Sequence, residues 1–232
     1  EKYAVQFTED GTPIREEVSV DVDSGTEVFR VPGHNNKEAM DVMNDFVAGL
    51  TARRLLSIQK CYVSKLDPTL PTPQKLKIDM ELATKQPLTD EKLTTNTTPI
   101  VLGFADRSSL PQRILDFCGS LPIYEVEEVS VEEMNATLFN SEGYQGLQGR
   151  SRRSVFDKVS CSSGGTHRGG VSFCLDLKEK MKPKSCTFSS SSCYYFIVCT
   201  ADSYGGHTCS YARHGYYDYC CSWTCDLLDS LG

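Results

Sequence analysis

The sequence predicts an α+β fold, antiparallel strands with two helices, followed by a small disulfide-rich, β-leaning domain. Three observations carry this. Alternation of polar residues with Val18, Val20 and Val22 in Glu16–Asp23 has the period of a half-buried strand. Leu76, Met80 and Ala83 in Gln74–Gln86 form one face of an amphipathic helix. Of the 11 cysteines, two lie in residues 1–153 and nine in residues 154–232, a density above the roughly 8–10% that marks a disulfide scaffold.

The elements follow in order. After Glu16–Asp23, the Ser24–Gly25 turn signal leads to a second strand, Thr26–Val31, closed by Pro32–Gly33. Asp41–Cys61 reads as two more strands joined by a turn near Gly49, with a helix over 36–48 nearly as compatible. Lys60–Leu66 is a strand, and Pro71 and Pro73 then punctuate the chain before the helix at Gln74–Gln86. Pro87–Pro99, polar and Thr-rich, is expected to be a long loop. Ser108–Ser109–Leu110–Pro111 offers a Ser N-cap and an early Pro for a second helix. That helix runs to Cys118, with Gly119 at C′, and Leu121–Val131 returns as a strand. Residues 132–149 lose periodicity, and Cys193–Thr200 is the best strand beyond them.

Charge divides at the same place as cysteine. Residues 1–153 carry 17 Lys+Arg and 24 Asp+Glu, and residues 154–232 carry seven of each. The expected organisation is therefore a strand/linker region at 1–23, an α+β domain at 24–131, a linker at 132–153 and a cysteine-rich domain at 154–232. The overall charge of −7 excludes a non-specific nucleic-acid binder, and no apolar run approaches the roughly 20 residues of a membrane span. Dense cysteine use implies an oxidising compartment and a secreted or luminal chain. Because the sequence opens on Glu1, an upstream signal or anchor is expected.

Two stretches match a known family. Gly49–Asp67 (GLTARRLLSIQKCYVSKLD) and Ile114–Glu128 (ILDFCGSLPIYEVEE) together resemble the BRICHOS domain, over about residues 24–130. The flavour is that of the gastrokine and chondromodulin branch, whose first Cys likewise follows a Leu/Arg-rich strand. Asn44–Asp45–Phe46 sits where the family has its characteristic Asp. The resemblance implies a five-stranded sheet between two helices and a Cys61–Cys118 disulfide. It further implies a precursor with a signal or type II membrane anchor, and an ATP-independent chaperone for β-prone segments. Two buried free thiols or a metal pair are the alternatives for Cys61 and Cys118. Without a nearby His they make no zinc site.

Other motifs carry further expectations. Arg150, Arg152 and Arg153 before Ser154 fit the R-x-R-R pattern of furin-like proprotein convertases, although most basic runs are solvated patches. Position at the domain junction favours cleavage after Arg153. Asn96 (N-T-T) and Asn135 (N-A-T) are glycosylation sequons, Asn96 being expected the more accessible. Asp45, among apolar strand residues, is either a turn cap or a candidate structural switch. The nine C-terminal cysteines are Cys161, Cys174, Cys186, Cys193, Cys199, Cys209, Cys220, Cys221 and Cys225. Their odd number leaves one thiol for an intermolecular bond, hence a covalent or non-covalent homo-oligomer. No C-x₂-C pair, nucleophile elbow or P-loop accompanies the histidines, so neither enzyme, metal nor cofactor is expected.

Tyr194, Tyr195, Phe196, Ile197 and Val198 are contiguous β-formers without charge or Pro, the signature of an aggregation-prone strand. Tyr216–Trp223 is similar but contains Asp218. The conjunction predicts a secretory proprotein whose first part holds its own C-terminal strand, or another β-prone polypeptide, until cleavage. The alternative makes residues 154–232 a secreted effector, matrix or structural assembly component, with the first part a pro-region or spacer.

Overall fold

Asp10 and Gly11 both take positive φ (48° and 79°), the two-residue turn that matches the twist of antiparallel strands. They join β1 (Lys2–Glu9) to β2 (Thr12–Asp21). The region expected to be strand and linker is thus a full hairpin. The structure is a computed structural model that describes residues 1–85, 88–130, 166–167, 171–172, 179–203 and 205–227.

The chain continues as an antiparallel meander: β3 (Thr26–Val31), β4 (Met40–Asp45), β5 (Leu50–Leu55) and β6 (Lys60–Lys65). Two strands, not a helix, occupy the stretch after Asn36. Helix α1 (Pro73–Ala83) begins with Pro at its first position behind Thr72, whose hydroxyl accepts from the Lys75 amide. Helix α2 (Gln112–Cys118) starts after Pro111 without a side-chain cap, and Gly119 closes it at φ 60°. The expected Ser cap is displaced. Asp106 instead caps a short 3-10 turn at Arg107–Ser109, because Pro111 holds the residue before it in extended conformation.

Two expectations change. Most of the stretch expected to be a polar loop, Pro87–Pro99, belongs to β7 (Thr89–Phe104), which pairs antiparallel with β8 (Ile123–Ser130). The C-terminal segment does not form a separate small body among the described residues. It supplies β9 (Thr166–His167), β10 (Val171–Ser172) and a long hairpin of β11 (Glu179–Ala201) and β12 (His207–Leu227). β12 pairs in parallel with β7. The path of the sheet is β1-β2-β3-β4-β5-β6-β8-β7-β12-β11, twelve strands with β9 and β10, well beyond the five expected. Polar Thr-rich sequence becomes strand here because β12 pairs it as far as Thr97, where β8 takes over along the rest of β7, and β-branched Thr suits a pleated surface.

Alternation sorts the side chains onto two faces. On the outer face, Ala52, Cys61 and Val63 pack with Ile114, Phe117 and Cys118 of α2. On the inner face, Val18, Val20, Phe29, Val31, Met40, Val42, Leu55 and Tyr62 share one core with Leu76 and Met80 of α1 and with Tyr194, Tyr195, Ile197, Tyr211 and Tyr216 of the hairpin. The outer face is stapled to α2 by a Cys61–Cys118 disulfide.

A 57-residue separation implies roughly 4 kcal/mol from restricting the unfolded chain. The double variant C61A/C118A should lower Tm by about 8–16 °C at this chain length, measured by differential scanning calorimetry. It should leave the protection of the β11–β12 amides closest to wild type at low temperature.

Candidate functional site

The inner face is apolar at its ends and polar across its middle. Reading strand by strand, Glu16 on β2, Glu27 on β3, Asn44 on β4, Thr51 and Arg53 on β5 and Ser64 on β6 are all buried. Each occupies the register that faces the hairpin. Asn44 donates to Glu27 Oε2 (3.3 Å) and accepts from Thr51 Oγ1 (2.9 Å). Glu16 Oε1 accepts from the Tyr195 amide (3.3 Å), and Ser64 donates to Glu128 on β8 (2.8 Å). Arg53 lies between the rings of Tyr62 and Tyr216, its guanidinium carbon 4.8 and 4.2 Å from their centres. It donates to Ser192 Oγ (3.4 Å) and faces Asp218 at 3.6 Å.

The strand marked by sequence as adhesive lies on this face. Tyr194 is buried against Phe29 (4.9 Å between ring centres) and stacks on His214 (5.5 Å). Tyr195, on the opposite side of β11, meets Phe7 at 4.3 Å. Ile197 is buried with them, while Phe196 and Val198 are half-buried. The Glu38 amide donates to the Ser191 carbonyl (2.7 Å), and Cys199 and Cys209 are joined by a disulfide near the hairpin tip. Cys193 is the one free cysteine among the described residues, and it is buried. Its Sγ lies 3.2 Å from the Tyr195 hydroxyl and 3.7 Å from His34 Nε2. The thiol expected to be open for an intermolecular bond is enclosed while the hairpin is docked.

Burial and pairing set the ionisation of these groups. Burial pushes Glu27 up to about 8, against the lowering effect of the Asn44 bond. Burial likewise pushes Glu16 well above the carboxylate range. Burial would raise Glu9 too, but bonds from Lys37 and Tyr195 and the nearby Arg213 charge hold it at about 2. Glu9 is met by Lys37 at 2.8 Å and by Arg213 at 3.6 Å. Burial pushes the Cys193 thiol up to about 11.

The other sequence-marked residues fall as follows. Asp45 is fully buried at the end of β4, on the α2 side. Its Oδ1 accepts from the Val47 and Ala48 amides, at 3.1 and 2.9 Å, and its Oδ2 lies 3.3 Å from Arg113 Nε of α2. It is a turn cap and an anchor for the helix at once. Asn96 sits inside β7, half-buried, with Oδ1 accepting from Arg213 (3.3 Å). Asn135, Arg150, Arg152, Arg153, Ser154, Cys161 and Cys174 lie outside the described residues. Cys186, Cys220, Cys221 and Cys225 are placed by backbone alone, Cys186 directly opposite Cys221.

The order strand–Cys–strand, α1, the long β7, then α2 with its disulfide to Cys61 is now complete. The BRICHOS domain sequence model matches residues 36–125. Residues 36–125 are a BRICHOS domain. No solved structure matches the chain. The BRICHOS match ends before the hairpin, so β11 and β12 are a second segment seated on the domain's inner face. Arg53, Glu16, Glu27 and Asn44 escaped the sequence reading. The signal for Arg53 was the Arg53–Arg54 pair inside an apolar strand, which places one guanidinium on each face. Arg54 serves the α2 face, pairing with Asp41 and donating to the Phe117 carbonyl.

Ionisation of the inner-face acids has opposite signs. Glu27, raised when folded, stabilises fully below its unfolded value near 4.5 and loses that contribution as pH rises through about 8. Glu9, lowered when folded, stabilises above 4.5 and loses its contribution as pH falls toward about 2. Thermal stability should therefore peak in mildly acid solution. Glu27→Gln should raise Tm at pH 8 by several degrees and flatten the alkaline limb, read by thermal melts from pH 3 to 9.

Proposed function

We propose that the BRICHOS domain holds the tyrosine-rich C-terminal segment of its own chain, as an ATP-independent chaperone in cis within the secretory pathway. The observation that supports this best is burial of Tyr194, Tyr195 and Ile197, the most adhesive run in the sequence, in one core with the domain's inner face. An uncovered strand of this kind pairs with other chains during folding. Here main-chain pairing of β12 to β7 supplies affinity, and inner-face pockets supply selectivity, as in other strand-addition complexes. The disulfides at Cys61–Cys118 and Cys199–Cys209 suit an oxidising compartment. Among the described residues no helix is long and apolar enough to cross a membrane.

Cleavage by a proprotein convertase after Arg153 belongs to the same proposal, as do glycans at Asn96 and Asn135 and descent from the gastrokine and chondromodulin branch. Neither described disulfide joins residues 1–130 to the hairpin. Cleavage alone would thus leave two chains held by a buried core. Release of the product would then be a second, conformational step.

Two measurements test this reading. Residues 154–232 secreted without residues 1–153 should give mainly aggregated, mispaired material, against monomer from the full chain on non-reducing gels. Equal yields would refute a holding role. After convertase digestion of the full chain, both fragments should co-elute in native size exclusion and separate in denaturant.

A further inference from the structure

An apolar β-strand binder has no use for a fully buried cation, yet Arg53 is placed at the centre of the inner face and is buried by the hairpin. Its surroundings come from both sides. Tyr62 of β6 belongs to the domain, while Ser192, Tyr216 and Asp218 belong to the seated segment. Tyr216 and Asp218 stand two apart on β12, so both project to the same side of the strand. Asp218 makes no hydrogen bond among the described residues, and Arg53 is the cation that faces it. Its burial is costly unless that charge is met.

We infer that Arg53 is a specificity-determining residue of the BRICHOS inner face, selecting strands that carry an aromatic residue followed two positions later by a carboxylate. This deepens the holding role proposed above and rests on it. The ring of such a strand stacks on the guanidinium, and its acid neutralises the charge that docking removes from water. A uniformly apolar strand of equal β-propensity covers Arg53 and leaves it unpaired. It is rejected for that reason, although it is the more hydrophobic ligand. The substrate class is thus a tyrosine-rich, acid-bearing strand, of which Tyr216-Tyr217-Asp218 is the example in this chain.

Cys193 provides the readout, because it lies on β11 beside Ser192 and is buried, with its Sγ 3.7 Å from His34 Nε2 outside the hairpin. Full-length protein is pulsed with iodoacetamide, and modification of the Cys193 peptide is followed by mass spectrometry. The variants are Arg53→Met, Asp218→Val and the double. Amide exchange of α2, on the opposite face, reports whether the domain is folded. Each single variant should raise the Cys193 rate by about tenfold or more with α2 still protected, since each strands one buried charge. The double variant should return to within about threefold of wild type. Asp218→Val is decisive even where Arg53→Met impairs folding, because it improves β-propensity and hydrophobicity and leaves the domain unaltered. Unchanged Cys193 protection in Asp218→Val, or a double variant as reactive as the faster single, overturns the specificity assignment while the holding role stands. Wild-type Cys193 reacting at the rate of the urea-unfolded chain overturns the holding role itself.

Discussion

Closure of the inner sheet face by the β11–β12 hairpin is the contact on which the rest of the molecule depends. A sheet needs cover on each apolar face, and α1 is eleven residues long, too short to cover six adjacent strands. The hairpin supplies what α1 lacks. Each buried tyrosine ring removes roughly 150–250 Å² from water, and four such rings, Tyr194, Tyr195, Tyr211 and Tyr216, come from the hairpin alone. The same contact resolves the hazard of the hairpin, whose strand would otherwise present an adhesive edge. Two surfaces that are each unstable in water are stable together.

On the holding role proposed above, the polar band across the middle of that contact serves discrimination rather than stabilisation. Among the described residues, Glu16, Glu27, Arg53 and Asp218 all retain buried atoms without a hydrogen-bond partner, and each such group costs free energy. Apolar replacements of similar volume would hold the hairpin as well or better. An all-apolar face would, however, accept any β-prone strand. On the selectivity proposed above, polar groups and the Arg53–Asp218 pair at fixed register convert general adhesion into a preference, because a wrong strand leaves them unanswered. The acids then tie docking to proton concentration without any separate sensor.

Local features were legible in the sequence and long-range ones were not. The meander β3–β6 follows from alternation and turn residues, and the Cys61–Cys118 bridge from the BRICHOS likeness. The Asp10-Gly11 hairpin was written just as clearly, in the residue pair that best tolerates two successive positive φ values. β7 was hidden because its Thr-rich run has no apolar face of its own. It becomes a strand through β12, more than 100 residues away. Arg53 was hidden for the same reason, since its meaning comes from Tyr216 and Asp218. Sequence marked Tyr194–Val198 as adhesive but could not say what it adheres to.

The two faces of the sheet differ in one respect that bears on how such a molecule works. On the outer face, α2 is fixed to β6 by a disulfide, and Asp45 and Arg54 tie it further to β4 and β5. On the inner face, the described bridge lies within the hairpin, joining residues directly opposed in register. That bridge preorganises the hairpin but does not attach it. The domain therefore keeps its fold by covalent means on one side and holds the hairpin by non-covalent means on the other. Under the proposed holding role, a holder that must let go needs this asymmetry. If both faces were crosslinked, the segment would be a permanent part of the fold. If neither were, undocking would unfold the domain along with its client.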